Sequence, residues 1–489
     1  MEQQTFFRKQ LSPLNTELSV KLVAKQPVSK VLCIDASAYV VSYECVSGEA
    51  LVNGRCNYRL VVMDTDGNIS GLNYNADFAE RVLDESISKE AKLSFCCSCT
   101  ECKSKIEGNI IDIDTSVQCL PCIFARQPLQ LAQEQEGVIV QKSTVGVCTY
   151  AQNVDVPISI VEQIITKHPI NAVISAKSCV FSKDCQYANG VLAIEGECSV
   201  ELLYTGGEDN TVYGEVIAYP FKEEIEIALV GDKTMVCCGK VKNTKVRLDV
   251  VEQQDNTTLS VETVAEFSLS NYSVENIEVI ADAYSVTNQI ALTKQAVLTT
   301  LPVCNREYEY TISHYHEFDT DVGDVVACLC AQATNTRVMQ QNGQLAVDGI
   351  LNLELLCRGE KLDSVHIEVP YTQLFQDDCI TEQVQLNSNS CITALNIRQD
   401  RRGVDINGQV VITTCVFATV EQSVTASIEM GDSVKNNQWT FEVVNATIGD
   451  DLWTVAKNLN MREQDIATLN PGLSFPLDRD EQIVVYHRL

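Results

Sequence analysis

Two Cys-x2-Cys pairs are the residues of this sequence best placed to do chemistry. Cys99 and Cys102 are followed, after sixteen intervening residues, by Cys119 and Cys122. Four thiolates at that spacing can close a tetrahedral zinc site. The same residues also read as strand cysteines. Side chains three apart on a strand point to opposite faces, so a zinc knuckle requires a turn within residues 98–103. Two further sets are weaker. His314-x-His316, followed by Glu317, places two imidazoles on one strand face with no identifiable third ligand. Asp64-x-Asp66-Gly67-Asn68 opens like a calcium loop, but its glycine is misplaced and no bidentate Glu follows. It reads as a hairpin tip. There is no nucleophile elbow, P-loop, HExxH or glycine-rich dinucleotide loop. The expectation is a non-enzymatic protein without a cofactor.

The elements that must carry these residues come in three copies. Residues 29–64, 171–206 and 324–359 align without a gap, at offsets of 142 and 153. Each copy holds two glycines six apart: Gly48 and Gly54, Gly190 and Gly196, Gly343 and Gly349. Each pair is followed by an apolar run. The segments are rich in β-branched residues and alternate, as half-buried strands do. The second glycine of each pair lies in a strand, where glycine marks a bulge or a close approach. Asp64–Asn68, Thr205–Asn210 and Arg358–Lys361 fall at matched places and have turn composition. A further strand follows each. Lys92–Lys105 corresponds to Lys233–Leu248, and Ile392–Arg398 begins the matching piece of the third copy. In the second copy Gly239 to Lys242 stands where Cys99 and Cys102 would fall, so the repeat does not require a metal there. Short helical connectors are expected near Glu162–Thr166 and Thr372–Gln376.

A chain of 489 residues is too long for one core. Its 66 acidic and 36 basic residues leave a net charge of −30, which disfavours nucleic acid and anionic lipid as partners. No run approaches the length of a membrane span. The first residues lack the apolar core and cleavage site of a secretory signal. The 22 cysteines are spread along the chain, so the expectation is free thiols packed as small hydrophobes.

The tail changes character. Trp439–Val444 reads as a strand, with Trp439 at the edge of the domain. Gly449-Asp450-Asp451 opens a helix in which Leu452, Val455, Ala456 and Leu459 form one stripe, with Trp453 in the core. A second short helix carries Ile466 and Leu469 and stops at Asn470-Pro471-Gly472. Gln482–Tyr486 is a closing strand. The fold class expected is therefore mainly β. An N-terminal segment, 1–26, precedes three tandem antiparallel β domains, 27–155, 156–300 and 301–432. A small β-α-α-β domain, 437–489, ends the chain.

The tail resembles the LysM family over nearly all of residues 439–487. Phe441-Glu442-Val443-Val444, the GDDLWTVAK stretch, Leu469-Asn470-Pro471-Gly472 and Gln482-Ile483-Val484-Val485 carry the resemblance. It implies a groove for chains of N-acetylglucosamine. The family usually has Thr or Ser where Asp451 stands, and residues 437–489 carry eight acidic against four basic residues. The repeats resemble the SPOCS domain of spore coat and cortex proteins in endospore-forming Firmicutes, over roughly residues 25–430. There the Gly-x5-Gly pairs carry it, with Tyr219-Pro220-Phe221 and its counterparts at Asn75–Phe78 and Val369–Tyr371. The combined architecture resembles the SipL-like coat morphogenetic proteins of clostridia. That resemblance implies a protein partner for the tail, the coat ATPase called stage IV sporulation protein A, at the forespore surface in the mother-cell cytoplasm. The surface expected to bind it comprises Ile448, Gly449, Asp451, Asn470, Pro471 and Leu473, which flank the family's ligand groove. The competing reading is a peptidoglycan-binding protein of the cortex or wall. A wall-cleaving enzyme with a LysM anchor ranks below both, because no catalytic carboxylate pair or metal triad can be picked out.

Overall fold

The computed structural model describes residues 3–249, 258–342, 344–376, 384–400, 402–434 and 441–486. Gly343 and Trp439 lie outside them. The chain is mainly β, and every pairing is antiparallel. The first copy comprises β1 (Gln3–Gln10), β2 (Leu14–Val23), β3 (Val28–Val46), β4 (Glu49–Asp64), β5 (Ile69–Leu83), β6 (Leu93–Glu107) and β7 (Ile110–Leu129). The second comprises β8 (Val138–Ile165), β9 (Ala172–Ala188), β10 (Val191–Gly206), β11 (Thr211–Glu226), β12 (Lys233–Asp249) and β13 (Thr258–Ser285). The third comprises β14 (Asn288–Glu317), β15 (Asp324–Gln341), β16 (Gln344–Arg358), β17 (Leu362–Gln376), β18 (Val384–Asp400) and β19 (Gly403–Ser433). The tail comprises β20 (Phe441–Ala446), α1 (Leu452–Leu459), α2 (Glu463–Leu469) and β21 (Glu481–Tyr486).

Each copy builds two sheets by one topology. The middle strands make a meander, β3-β4-β5, β9-β10-β11 and β15-β16-β17. The last two make a hairpin whose final strand also takes the copy's first strand: β6-β7-β2, β12-β13-β8 and β18-β19-β14. The two sheets of each copy close on one apolar core, such as the one joining Ile158 and Val261 to Val200 and Phe221. In the first copy the opening strand is split into β1 and β2, both paired with β7. Residues 3–23 are thus part of a sheet, not a segment outside the repeats. The boundaries expected after residues 155 and 300 fall inside β8 and β14. The two expected helical connectors are strand. Along β8, Ile158, Ile160 and Ile164 are buried while Val161 and Ile165 face out, a period of two. Thr372–Gln376 ends β17. The strand of the third copy that holds Ile392 starts earlier, at Val384.

The three hairpin tips lie where turn composition placed them, at residues 65–68, 207–210 and 359–361. The second glycines occupy matched register positions. Gly54 pairs with Phe78, Gly196 with Phe221 and Gly349 with Tyr371. In all three a Cβ would overlap the facing aromatic ring, so the far end of the ring lies over bare backbone. This is the close approach that the glycine spacing implied.

The copies do not form an open row. β5 meets β9, β11 meets β15, and β17 meets β3, so the same edge contact recurs around a closed ring. At two junctions the backbones nearly touch: a Cβ on Gly71 would strike the carbonyl of Ile174, and one on Gly214 that of Cys328. At the third, Lys30 pairs with Asp363. Equivalent positions meet at the centre. Asp35, Lys177 and Cys330 are related by the repeat offsets, as are their cross-strand partners Arg59, Glu201 and Glu354. Lys177 Nζ lies 2.8 Å from Asp35 Oδ1, and Arg59 Nε donates to Asp35 Oδ2 at 2.9 Å. These two cations hold the buried Asp35 carboxyl far below its ordinary range, against the burial that would raise it. Beside this centre, bordered by Lys177 and Glu201, lies a cavity of about 620 Å³ walled by all three copies.

Glu201 reaches from the second copy to the third, accepting a hydrogen bond from the Ala331 amide at 2.9 Å. Burial, together with the nearby Asp35 charge, pushes its carboxyl from 4.5 up to about 7. The folded chain therefore holds this proton more tightly than the unfolded chain does. The stability it contributes is complete below about pH 4.5 and falls away as pH rises through about 7, by roughly 3 kcal/mol at most. Glu201→Gln is expected to flatten the loss of stability between pH 5 and 7.5, measured by denaturant unfolding at each pH. An unchanged slope in the variant contradicts this assignment.

Candidate functional site

The tail packs its two helices against the β20–β21 ribbon around Ala456, Ile466, Ile483 and Val485. Of its expected surface residues, Ile448 is 64% exposed on the loop before α1, and its amide donates to Asp480 at 2.9 Å. Gly449 adopts φ of +91°, a conformation that suits glycine, and donates to the Leu477 carbonyl. Leu477 in turn donates to Asp450. These two bonds tie the loop before α1 to the segment before β21.

Asp451 is the N-cap of α1, its Oδ1 accepting from the Thr454 amide at 2.7 Å. That bond lowers its pKa. A Thr or Ser at this position would make the same cap. Asn470 is a clamp between α2 and β21. Its side-chain amide donates to the Ile466 and Val484 carbonyls and accepts from the Val484 amide, all at 2.8–2.9 Å. Pro471 is exposed. Leu473 is half-buried against the tail's core rather than free in a loop. Ile448 and Pro471 are thus the outward apolar groups of the six, and Gly449 and Asn470 shape the loops that present them.

The sequence reading missed the opposite face of α1. Trp453 lies at the seam with the second copy. Its indole N–H donates to Asp282 on β13 at 2.9 Å, and Lys457, one turn on, pairs with the same carboxylate at 2.6–2.7 Å. Tyr284, also on β13, packs edge-on against Trp453 and donates to the Met461 carbonyl. The i, i+4 spacing of Trp453 and Lys457 marks one helix face, but nothing in the tail's sequence points to Asp282 as its partner. The docked face and Ile448 lie on different parts of the tail, so docking leaves the loop surface open.

The four zinc-spaced cysteines do not share a site. Cys99 and Cys102 pair with Val117 and Thr115 on β7, with a bulge between Cys99 and Glu101. That bulge, not a turn, puts both thiols on one face, against the core. Cys119 points into the same core. Cys122 lies three residues on along unbroken β7, outside that core, and lines the central cavity, which Cys99 also borders. Cys56 takes up Cys99 at 3.8 Å, and Thr115 takes up Cys102 at 3.4 Å. Among the described residues no group of three or more His, Cys, Asp or Glu could hold a metal ion. The Asp64 carboxylate is occupied within its own hairpin tip, accepting from the Asp66 and Asn68 amides. Among the described residues no helix is long and apolar enough to cross a membrane.

No family model and no curated protein matches this chain. Among solved structures, the ferric yersiniabactin uptake receptor FyuA from Yersinia pestis aligns over 85% of this chain and 80% of its own, at 9% identity. Its TM-score of 0.11 is too low to carry a shared fold.

The seam with β13 yields a test. Asp282→Ala strands a half-buried ammonium and an indole N–H, at a cost of about 1–3 kcal/mol to docking. Amide hydrogen exchange along α1 and at Tyr284 is expected to speed up, with the cores of the three copies unaffected. Unchanged protection on α1 contradicts the seam.

Proposed function

We propose that this chain is a non-enzymatic scaffold of spore coat assembly. Three SPOCS-like β domains form its body, and a LysM-like tail captures a partner at the forespore surface in the mother-cell cytoplasm. The partner that the resemblance implies is a coat ATPase of the stage IV sporulation protein A type. The observation that carries this reading is the tail's geometry. One face of α1 is anchored to the body through Asp282, while Ile448 stands 64% exposed on a loop braced by Gly449 and Leu477. An exposed branched apolar side chain on a fixed loop suits a protein interface, where a few desolvated apolar groups dominate the energy. It offers a glycan no hydrogen bond. The alternative is a peptidoglycan-binding protein of the cortex or wall, and the LysM resemblance supports it too.

The full chain is to be tested against the purified ATPase and against insoluble peptidoglycan. Binding to the ATPase, weakened about tenfold or more by Ile448→Asp with the circular dichroism spectrum unchanged, is the expected result. Retention on peptidoglycan without ATPase binding favours the alternative.

A further inference from the structure

The cysteines are not placed alike. Cys56 and Cys99 touch inside the first copy, as do Cys97 and Cys119. Cys56 and Cys119 are sealed in that copy's core. Cys33 and Cys330 meet across the first and third copies, beside a void of about 20 Å³, too tight for more than a water. Cys179 and Cys391 differ from all of these. Cys179 belongs to β9 of the second copy and Cys391 to β18 of the third. Their thiols are hydrogen-bonded to each other and packed between Phe181 and Val411. Beside them the Ser199 hydroxyl on β10, which pairs with β9, donates to the Ile392 carbonyl at 2.6 Å and ties the second copy to β18 at this crossing. Both cysteines also line the central cavity of about 620 Å³. Both thiols of this pair border the cavity, whereas of the two pairs in the first copy only Cys97 and Cys99 do, their partners Cys119 and Cys56 being sealed in the core.

We propose that Cys179 and Cys391 are a redox-sensitive pair, which hydrogen peroxide entering the central cavity converts to a disulfide joining the second copy covalently to the third. The Cys179 sulfur, as thiolate, attacks the near peroxide oxygen. The O–O bond breaks, hydroxide leaves and takes up a proton, and Cys179 becomes a sulfenic acid. The Cys391 sulfur then attacks the Cys179 sulfur. The S–O bond breaks, and hydroxide departs as water with the proton of the Cys391 thiol. Two thiols lose two electrons and two protons, and one peroxide becomes two waters. The assignment of roles follows the local charges. The hydrogen bond from Cys391, aided by the Lys177 ammonium, lowers the pKa of Cys179, while Cys391 is raised. Cys179 is the attacking sulfur and Cys391 the resolving one.

The test uses the full chain, reduced, freed of reductant and exposed to hydrogen peroxide. Remaining thiols are alkylated and peptides are mapped by mass spectrometry without reduction. A linked Cys179–Cys391 peptide, lost on adding dithiothreitol, is the expected result. With it the thermal unfolding midpoint rises above that of the reduced chain. In Cys391→Ser the link and the rise are absent, and a dimedone adduct accumulates on Cys179. Should Cys391→Ser fail to fold, the wild-type peptide map decides alone. Alkylation of Cys179 and Cys391 as free thiols, after peroxide has oxidised other cysteines, overturns the proposal.

Discussion

The Asp35 carboxylate sits where the three copies converge, and the rest of the body is arranged around how its charge is balanced. Three identical repeats closed into a ring would bring three identical side chains to the centre. Three carboxylates there would repel one another, and burial would force them to stay protonated. This chain places Asp35, Lys177 and Cys330 at the equivalent positions, with Arg59 and Glu201 beside them. One anion is held by two cations from two copies, and the third copy contributes an uncharged thiol. Removing one member of such a buried set leaves the others uncompensated, which typically costs about 3–5 kcal/mol.

Closure has consequences elsewhere. A linear array leaves terminal copies with bare edges, whereas here each meander's edge meets the next. The central cavity is a product of that closure, and so is the meeting of Cys179 with Cys391, which are far apart in sequence. The long strands β8, β13, β14 and β19 extend beyond the cores as paired ribbons, which pack with β1 and β7 around Phe6, Phe124 and Phe417. One of them, β13, ends in Asp282 and Tyr284, where the tail docks.

Much of the local structure was legible because it depends on neighbours in sequence. Alternation located the meander strands, turn composition located the hairpin tips, and the glycine spacing located the close approaches at Gly54, Gly196 and Gly349. The β-α-α-β order of the tail followed from its stripe and stop signals. The misreadings have physical causes. Ile160, Val161, Ile164 and Ile165 satisfy helical spacing and strand alternation at once, and only the pairing of β8 with β13 decides between them. A bulge reset the face of Cys102, which simple alternation could not foresee. Trp453 does lie in the tail's core, but its place at the seam has no signal in the tail, because its hydrogen-bond acceptor lies 171 residues away. Asp35 and Lys177 carry no signal of their own in the sequence, since their pairing exists only once the ring has closed.

The central claim is that the repeats form one closed body locked at Asp35. A double-mutant cycle of Asp35→Asn and Lys177→Met, read by denaturant unfolding of the full chain, tests it most directly. Residues in contact across the first and second copies are predicted to show a coupling of about 1–3 kcal/mol, with each single variant destabilised. Effects that add within about 0.5 kcal/mol would show that the two side chains do not meet, and would contradict the ring.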